Sequence, residues 1–532
     1  MATTLEHDAV HGADQQGTTK PDAVDSPQAS RRRFFTTAAT AAAALVVATP
    51  GKAQAQGIRR ARRKLPEPVR GVSLALASAA APPDAQLAVW RDPVGRLVRR
   101  VTLGITRDEL ERAKKLGFAK YLDEQLKPAV IDDRAVATFV ATSYPTLRMT
   151  SEELYGADQG KVNTELQEAT IYRAVFSKRQ LYERMVEFWT DHFSIDTDKV
   201  GYLKSTDDRD VIRRHAMGKY PAMLRASAHS AAMMEYLDQP SSRRGNLNEN
   251  YAREIMELHS VGVDGGYTQQ DVNELARVLT GWTVSGRGIF TYDAQLHDFG
   301  PKNVLGRTIP ATVAARGLAG KGEADAIIDM LALHPKTAHY VAIKLTRFLL
   351  QYDPTDALVQ SVAAEFTKTK GDIPSMIRVI LTEQNLMAAP AKYKRPFHLA
   401  VSAVRALGPT VASTSYVRSQ IDAMGQSLFR WETPDGYPDK MEFWSGLALS
   451  RWNAAMGVVG QTGANFNFDV TPFVGTSAET GAELIIDRLF GGEVPESLLT
   501  RLQAYLRTSP TNTARVREAV GLALSSAQFQ WY

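Results

Sequence analysis

The helical spacing of apolar residues is the feature that most limits what this 532-residue chain can fold into. From Trp90 onward, apolar side chains recur at three- and four-residue intervals, and Gly or Pro interrupts the pattern at helix-like lengths. Alternating, strand-like runs are few, and residues 283–292 and 466–474 are the best candidates for short extended structure. The pattern predicts a mostly α-helical fold. Residues 90–532 are expected to form one large multi-helix domain with irregular loops and few short strands.

The absence of cysteine limits how the fold can be stabilised and which chemistry it can carry out. It excludes disulfides, thiolate nucleophiles, Cys-ligated zinc, iron–sulfur clusters and covalently attached c-type haem. A hydrophobic core must therefore stabilise the fold. The 63 Lys and Arg residues nearly balance the 58 Asp and Glu residues. The resulting net charge of +5 gives no argument for a nucleic-acid partner, and none is expected.

The N-terminal residues have the three ordered parts of an export signal. Residues 30–35 (SRRRFF) are followed by an Ala-rich apolar run at 36–47 and by the small-residue pattern AQA at 53–55. This arrangement resembles a twin-arginine signal. The apolar run is too short for a permanent membrane span, which needs about 20 residues. Residues 1–55 are therefore predicted to be a signal region that is cleaved.

The chain after the predicted signal region is expected to begin with a linker, and the protein is expected outside the cytoplasm. Residues 56–89 are basic or rich in Ala and Pro, which predicts a linker before the helical domain. No later segment is long and apolar enough to span a membrane. The expected partner during export is the twin-arginine translocase, and the expected location is periplasmic or extracellular.

Two helical segments direct histidines towards the interior. In residues 181–193, the apolar positions share one helix face with His192. In residues 248–259, the apolar stripe ends at His259, and Glu254 lies at its edge. For either histidine alone, a core imidazole held by hydrogen bonds is the simpler interpretation. Two of them on neighbouring segments make a shared site about equally reasonable.

Six polar residues could form that site, and their types leave two chemistries open. As a metal centre, His192, His259 and His297 would bind zinc, manganese or iron and leave one position for water. As a metal-free centre, the carboxylates would act with histidine as base and acid in hydrolysis or elimination. The predicted catalytic carboxylates are Asp191, Glu254 and Asp298.

Aromatic residues near position 433 suggest a place for substrate. Most tryptophans of the chain are expected to pack in the core. The segment 433–438 (TPDGYP) is the exception, because Pro, Asp and Gly favour a turn that can hold Trp431 and Tyr437 at the rim of a cleft.

A basic run precedes a predicted helix that begins at Pro396. Lys392, Lys394 and Arg395 come just before this first helical position. An anion could bind at the positive end of such a helix. The expected structure is nevertheless a solvated basic turn.

A distinctive central run of the chain comprises 248–254 (NENYARE), 257–259 (ELH), 262–268 (GVDGGYT), 271–272 (DV) and 276–282 (ARVLTGW). This run resembles the bacterial domain-of-unknown-function family numbered 1800. Further segments agree in the same order, among them 188–189 (FW), 297–298 (HD), 334–335 (HP), 344–345 (KL) and 433–438. The likeness covers residues 90–530. It implies a large, exported, helical protein encoded beside a second exported family that is sulfatase-like. It carries no catalytic assignment.

Two functions are consistent with these observations. The chain lacks a Gly-x-Ser-x-Gly elbow, a His-Glu-x-x-His helix, a Walker loop and a Gly-x-Gly-x-x-Gly motif before a helix. The first hypothesis is an exported hydrolase that acts on a polysaccharide or an ester through a His/carboxylate site, with or without a metal. The second is a non-catalytic scaffold or partner subunit of the exported sulfatase-like protein that the resemblance implies.

Overall fold

The computed structural model describes residues 90–312 and 319–532. The predicted signal region at 1–55 and the predicted linker at 56–89 lie outside the described residues. Helices dominate the described part, so the prediction of a mostly α-helical fold is confirmed. All described residues belong to one compact unit.

The helices in the first half of the described chain precede a β-hairpin. They are α1 (Pro93–Val101), α2 (Arg107–Leu116), α3 (Phe118–Gln125), α4 (Arg134–Ser143), α5 (Ser151–Tyr155), α6 (Gln159–Phe176), α7 (Gln180–His192), α8 (Thr197–Val200), α9 (Leu203–Asp207), α10 (Tyr220–Ala228), α11 (Ala231–Tyr236), α12 (Asn250–Glu257) and α13 (Gln269–Leu279). A π-helical segment, Asp208–Arg213, continues directly from α9.

Short antiparallel strands interrupt the helices at three places. The strands are β1 (Trp282–Ser285), β2 (Ile289–Tyr292), β3 (Lys302–Val304), β4 (Arg307–Ile309), β5 (Thr410–Val411), β6 (Thr462–Gly463) and β7 (Phe466–Asn467). β1 pairs with β2, β3 pairs with β4, and β7 lies between β5 and β6. In the first hairpin Trp282 is opposite Tyr292. Both segments predicted to be extended, 283–292 and 466–474, therefore contain strand residues.

The remaining helices follow in sequence. They are α14 (Ala319–Ala332), α15 (Pro335–Leu349), α16 (Asp356–Thr369), α17 (Ile373–Ile380), α18 (Glu383–Ala388), α19 (Pro396–Leu407), α20 (Ser415–Ala423), α21 (Met441–Trp444), α22 (Ala448–Val459), α23 (Ala478–Phe490), α24 (Glu496–Leu506) and α25 (Thr513–Ser525).

Local sequence explains where these helices begin and which face they bury. α13 starts at a capping box, in which the Thr268 hydroxyl and the Asp271 carboxylate each accept a hydrogen bond from the other residue's backbone N–H. α7 buries Leu181, Met185 and Trp189, which recur at four-residue intervals. Burial of this stripe fixes the rotation of α7 and therefore the direction of the polar residues at its C-terminal end.

Two large apolar clusters form the core. The first includes residues from α1 through α18 and contains the fully buried Trp189 and Trp282. The second is built mainly from α19, α20 and α22 to α25 and contains Phe397. Arg395 lies between them, since its guanidinium is 5.7 Å from the ring centroid of Phe348, a residue of the first cluster. The end of α7 and the start of α19 therefore meet where the two clusters adjoin.

A loop between α20 and α21 covers the end of α7. Gly436 has a φ of +76°, and a Cβ built there would lie 2.1 Å from the carbonyl oxygen of Asp191. Only glycine permits this approach, because any side chain would collide with the backbone of α7 and the left-handed φ would strain it. The predicted turn at 433–438 is thus packed against a predicted catalytic residue.

Candidate active site

One face of α7 lines a partly open cavity. Glu183, Glu187 and Asp191 occur at four-residue intervals, so they share a face of the helix. Tyr437 lines the same cavity from the loop, and Phe397 and Phe429 add aromatic wall. The structure therefore places a predicted catalytic carboxylate, Asp191, and a predicted rim residue, Tyr437, around one space.

Arg395 holds two of these carboxylates. Its Nη1 lies 2.5 Å from Oδ2 of Asp191, and its Nη2 forms an ion pair with Oε1 of Glu187. Arg184 extends the network, with its Nη1 3.2 Å from Oε2 of Glu187. Arg184, Glu187 and Arg395 are all buried. Burial raises the pKa of Asp191, although Arg395 opposes the change.

The prediction of a solvated basic turn at Lys392, Lys394 and Arg395 is wrong. Their exposed fractions are only 0%, 6% and 5%. Besides the ion pairs of Arg395, the ammonium of Lys392 lies 2.7 Å from Oδ2 of Asp439 and donates to the Phe348 carbonyl at the end of α15. Partners that are distant in the sequence allow these charges to be buried.

A lysine that the sequence reasoning missed lies beside Asp191. Lys344, on α15, has its ammonium 5.4 Å from the ring centroid of Tyr340. Burial lowers the pKa of Lys344 to about 8, while Asp191 and Asp435 oppose this change through space. Asp191 forms its direct ion pair with Arg395 instead. Among the described residues, Lys344 thus has carboxylates near it without a salt bridge to either.

The loop that carries Asp435 is held at several points. The Tyr437 hydroxyl donates to the Ser427 carbonyl at 2.6 Å, and the Trp431 indole N–H donates to Oδ1 of Asp435 at 3.1 Å. The rings of Trp431 and Tyr437 have centroids 4.8 Å apart. Tyr437 faces the cavity, whereas Trp431 packs on Tyr437 and is not among the cavity-lining residues.

His192 and His259 lie together behind this region. Both are buried, and their ring centroids are 6.2 Å apart. The Tyr220 hydroxyl donates to the His259 carbonyl, so it accepts at 3.3 Å from Nε2–H of His192. Within the described part of the chain, Nδ1 of His192 and Nε2 of His259 have no hydrogen-bond partner. The sequence correctly predicted that both side chains point inward.

Both imidazoles are uncharged near neutral pH. Burial, with a further contribution from Lys344, lowers the pKa of His259 to about 3. The same two causes, in the same order, hold the pKa of His192 well below its ordinary value. Two neutral rings therefore lie beside a lysine and do not compete with it for the nearby carboxylates.

Glu254 is close to the same group of residues. It is buried on α12, and its backbone carbonyl accepts from the His259 N–H at 3.0 Å. Its charge interacts through space with the hydroxyls of Tyr236 and Tyr340, and the charge of Asp435 acts on the same two hydroxyls. Four predicted residues, Asp191, His192, Glu254 and His259, are thus brought into one neighbourhood.

His297 and Asp298 belong to a separate polar cluster. Nδ1–H of His297 donates to the Thr280 carbonyl at 2.6 Å, and Nε2 is 3.4 Å from Glu323. The Asp298 carboxylate accepts from Nε and Nη2 of Arg277 at 2.8 and 3.3 Å. These partners lie in α13, directly after it and in α14, and their contacts hold both residues in this cluster.

The predicted metal centre is not assembled. In residues 90–312 and 319–532, no group of three or more His, Asp or Glu side chains is arranged to hold a metal ion. His192 and His259 are near one another, but His297 is held by its own contacts with Thr280 and Glu323. The structure therefore does not gather the three predicted ligands for zinc, manganese or iron.

A sequence signal for Lys344 exists in α15. Val341, Leu345 and Phe348 form a buried stripe, and Lys344 is three residues after the first and four before the last. A lysine on such a face must be shielded or paired. Its position on the helix could have identified it, although its neighbours could not be predicted from α15 alone.

Comparison with known proteins gives one match. Residues 96–531 match the model of a family described as "Protein of unknown function (DUF1800)". No curated protein and no solved structure matches the chain. A search of the described residues for a helix with the length and apolar character of a membrane span found none.

The two neutral histidines predict how stability depends on pH. Their pKa values are lower in the folded protein than in the unfolded chain, so their contribution is complete above about pH 6.5 and is lost as the pH falls. Each should remove about 1.4 kcal/mol of unfolding free energy for every pH unit below 6.5. Denaturant unfolding at pH 6.5 and pH 5 measures this loss.

A substitution of His259 tests whether this residue causes part of the stability loss at low pH. His259→Gln should show a smaller loss of stability between these two pH values than the wild type. His339→Gln is the control, because His339 is exposed and should leave the pH dependence unchanged. Equal losses in wild type and His259→Gln would contradict the interpretation that His259 is buried and neutral.

Proposed function

The chain belongs to the DUF1800 family, and from its site we propose that it is a hydrolase that acts on a polysaccharide or an ester. The observation that carries the proposal is the position of Asp191. This carboxylate lines the cavity beside α7, is held by Arg395, and interacts through space with Lys344. A carboxylate that lines a cavity, with an amine near it and shifted pKa values for both groups, is typical of acid–base catalysis.

Asp191 is the proposed acid–base residue. Burial raises its pKa, which brings the carboxyl closer to the protonation equilibrium that proton transfer requires. Arg395 contacts Oδ2, so this ion pair orients the carboxyl and leaves Oδ1 outside that contact. Proton transfer to a leaving oxygen, or from an attacking water, would then use Oδ1.

Lys344 is the proposed electrostatic residue. With a pKa of about 8, it is mostly protonated at neutral pH. Hydrolysis of an ester or a glycoside develops negative charge on a carbonyl or leaving oxygen, and a partly desolvated ammonium stabilises that charge more strongly than it would in water. Because neither Asp191 nor Asp435 forms a direct ion pair with it among the described residues, its ammonium is available to substrate.

The cavity wall favours a neutral, polar substrate. Thr170, Thr190 and the carboxylates of α7 offer hydrogen-bonding groups, while Phe397 and Tyr437 offer aromatic surface. Sugar rings have polar edges and apolar faces, which match these two kinds of wall. This combination supports a polysaccharide over a strongly charged substrate.

Substitution of Asp191 tests the proposal. Asp191→Asn should lower kcat/KM by on the order of 10²- to 10⁴-fold, because the amide cannot exchange the proton. Asp298→Asn is the matched control, since Asp298 lies in the separate cluster with Arg277 and should retain activity within about twofold. Release of reducing sugar from polysaccharides and hydrolysis of chromogenic esters are the measurements. An active wild type with unchanged activity in Asp191→Asn would contradict the assignment.

A second candidate function is supported by exposed apolar side chains. Phe443, Leu449 and Met456, on α21 and α22, have exposed fractions of 49%, 68% and 38%. Exposed apolar side chains can supply the contact surface for a protein partner. This observation favours a scaffold or partner subunit for the exported sulfatase-like protein. For that function, wild type and Asp191→Asn would both lack hydrolytic activity.

Export by the twin-arginine route is also proposed. It is supported by the arginines at 31–33 followed by an apolar run and a small-residue cleavage pattern. Replacement of all three arginines by lysine should retain the full-length chain in the cytoplasm, because the translocase reads arginine and not charge alone. Immunodetection in cytoplasmic and exported fractions measures this. Unchanged export of the lysine variant would contradict the route.

A further inference from the structure

A second, partly open cavity lies beside α19. It is lined by Arg99, Lys394 and His398, together with Ser402 and apolar groups such as Phe529. None of its lining residues is Asp or Glu. The cavity therefore presents cations and hydrogen-bond donors without a carboxylate in its wall.

Each of the three basic residues is buried. The exposed fractions of Arg99, Lys394 and His398 are 8%, 6% and 1%. Burial of a charge without an opposite charge costs several kcal/mol unless the group is paired or loses its charge. Arg99 and Lys394, as two cations around one space, are therefore unfavourable without a compensating partner.

Two of these three basic residues have N–H groups that donate no hydrogen bond among the described residues. Nδ1 of His398 accepts from Nη1 of Arg184 at 3.3 Å, so the ring proton is on Nε2. Among the described residues, Nε2 of His398 and Nε of Arg99 have no hydrogen-bond partner. Both atoms are donors in these forms, so what they lack is an acceptor.

The charges around Lys394 also indicate that an anionic partner is missing. Its ammonium is 3.8 Å from the ring centroid of Phe529. Burial, with further contributions from the cations Arg99 and Arg451, holds the pKa of Lys394 well below its ordinary value. Glu493 acts on Arg99, but it accepts hydrogen bonds from the backbone of residues 91 and 92.

We propose that this cavity binds an oxyanion of the phosphate or sulfate class between Arg99, Lys394 and His398. An oxyanion supplies several acceptor oxygens to donors that converge from different directions, and its charge offsets that of the cations. His398 is in the first turn of the twelve-residue helix α19, whose N-terminal dipole adds to the attraction. The site is separate from the proposed active site, because the two cavities share no lining residue.

Thermal unfolding of the full chain in matched salts tests this proposal. At equal ionic strength, phosphate or sulfate should raise the Tm of the wild type by several degrees over chloride, because a ligand that binds only the folded state stabilises it. Lys394→Met keeps the apolar stem but removes the ammonium. It should melt at or above the wild type in chloride, and it should lose the response to phosphate.

Controls and a direct measurement complete the test. Lys344→Met should retain the response to phosphate, since Lys344 is not among the residues that line this cavity. Calorimetric titration with inorganic phosphate and with glucose 6-phosphate distinguishes a free ion from the phosphate group of a larger ligand by which of them binds more tightly. Equal phosphate responses in wild type and Lys394→Met would overturn the proposal. If Lys394→Met fails to fold, the absence of binding heat for phosphate, sulfate and glucose 6-phosphate in the wild type would overturn it.

Discussion

The ion pairs of Arg395 with Asp191 and Glu187 are the interaction on which the arrangement of the site depends. They join the end of α7, in one apolar cluster, to the start of α19, in the other. Removal of the arginine would leave Asp191 without its ion-pair partner and Glu187 with Arg184 alone. Breaking a buried pair by removing one partner typically costs about 3–5 kcal/mol. The same pairs orient Asp191 towards the cavity. Stability and the proposed chemistry therefore share one constraint.

This network also connects the two cavities. From Asp191 it passes through Arg395, Glu187 and Arg184 to His398, by contacts of 3.3 Å or less. Carboxylates predominate at the first cavity and basic groups at the second. The low dielectric of the interior strengthens every interaction along this path. A buried polar path of this kind explains how a chain without disulfides can hold two polar cavities in a fixed relation.

The sequence predicted the parts of the site that depend on one helix at a time. Helical periodicity gave the inward direction of His192 and His259, and Pro, Asp and Gly indicated the turn that carries Tyr437. Periodicity does not show which helices become neighbours, so Lys344 on α15 was missed. His297 was grouped with the other histidines because of its place in the sequence, whereas Thr280 and Glu323 hold it in another cluster.

The burial of the basic run before α19 also could not be predicted from local sequence. Consecutive Lys and Arg residues usually lie in solvent, and their local sequence contains no acid. The residues that allow their burial are distant: Glu187 and Asp191 are about 200 positions earlier, as the separations of 208 and 204 show, and Asp439 is 47 positions later than Lys392. Tertiary pairing, which one sequence does not reveal, reversed the expectation. Lys394, the member of the run without an ion pair among the described residues, then points to a ligand.

The pKa of Lys344 tests the central claim most directly, because the proposed site depends on a desolvated lysine beside Asp191. NMR of the chain with ¹³C-labelled lysine would follow the Cε shift against pH, with Lys344→Met identifying the resonance. We expect Lys344 to titrate near 8. In Asp191→Asn its pKa should be lower still, because the attraction of the carboxylate is removed. Titration together with the exposed lysines, unchanged in Asp191→Asn, would contradict the account.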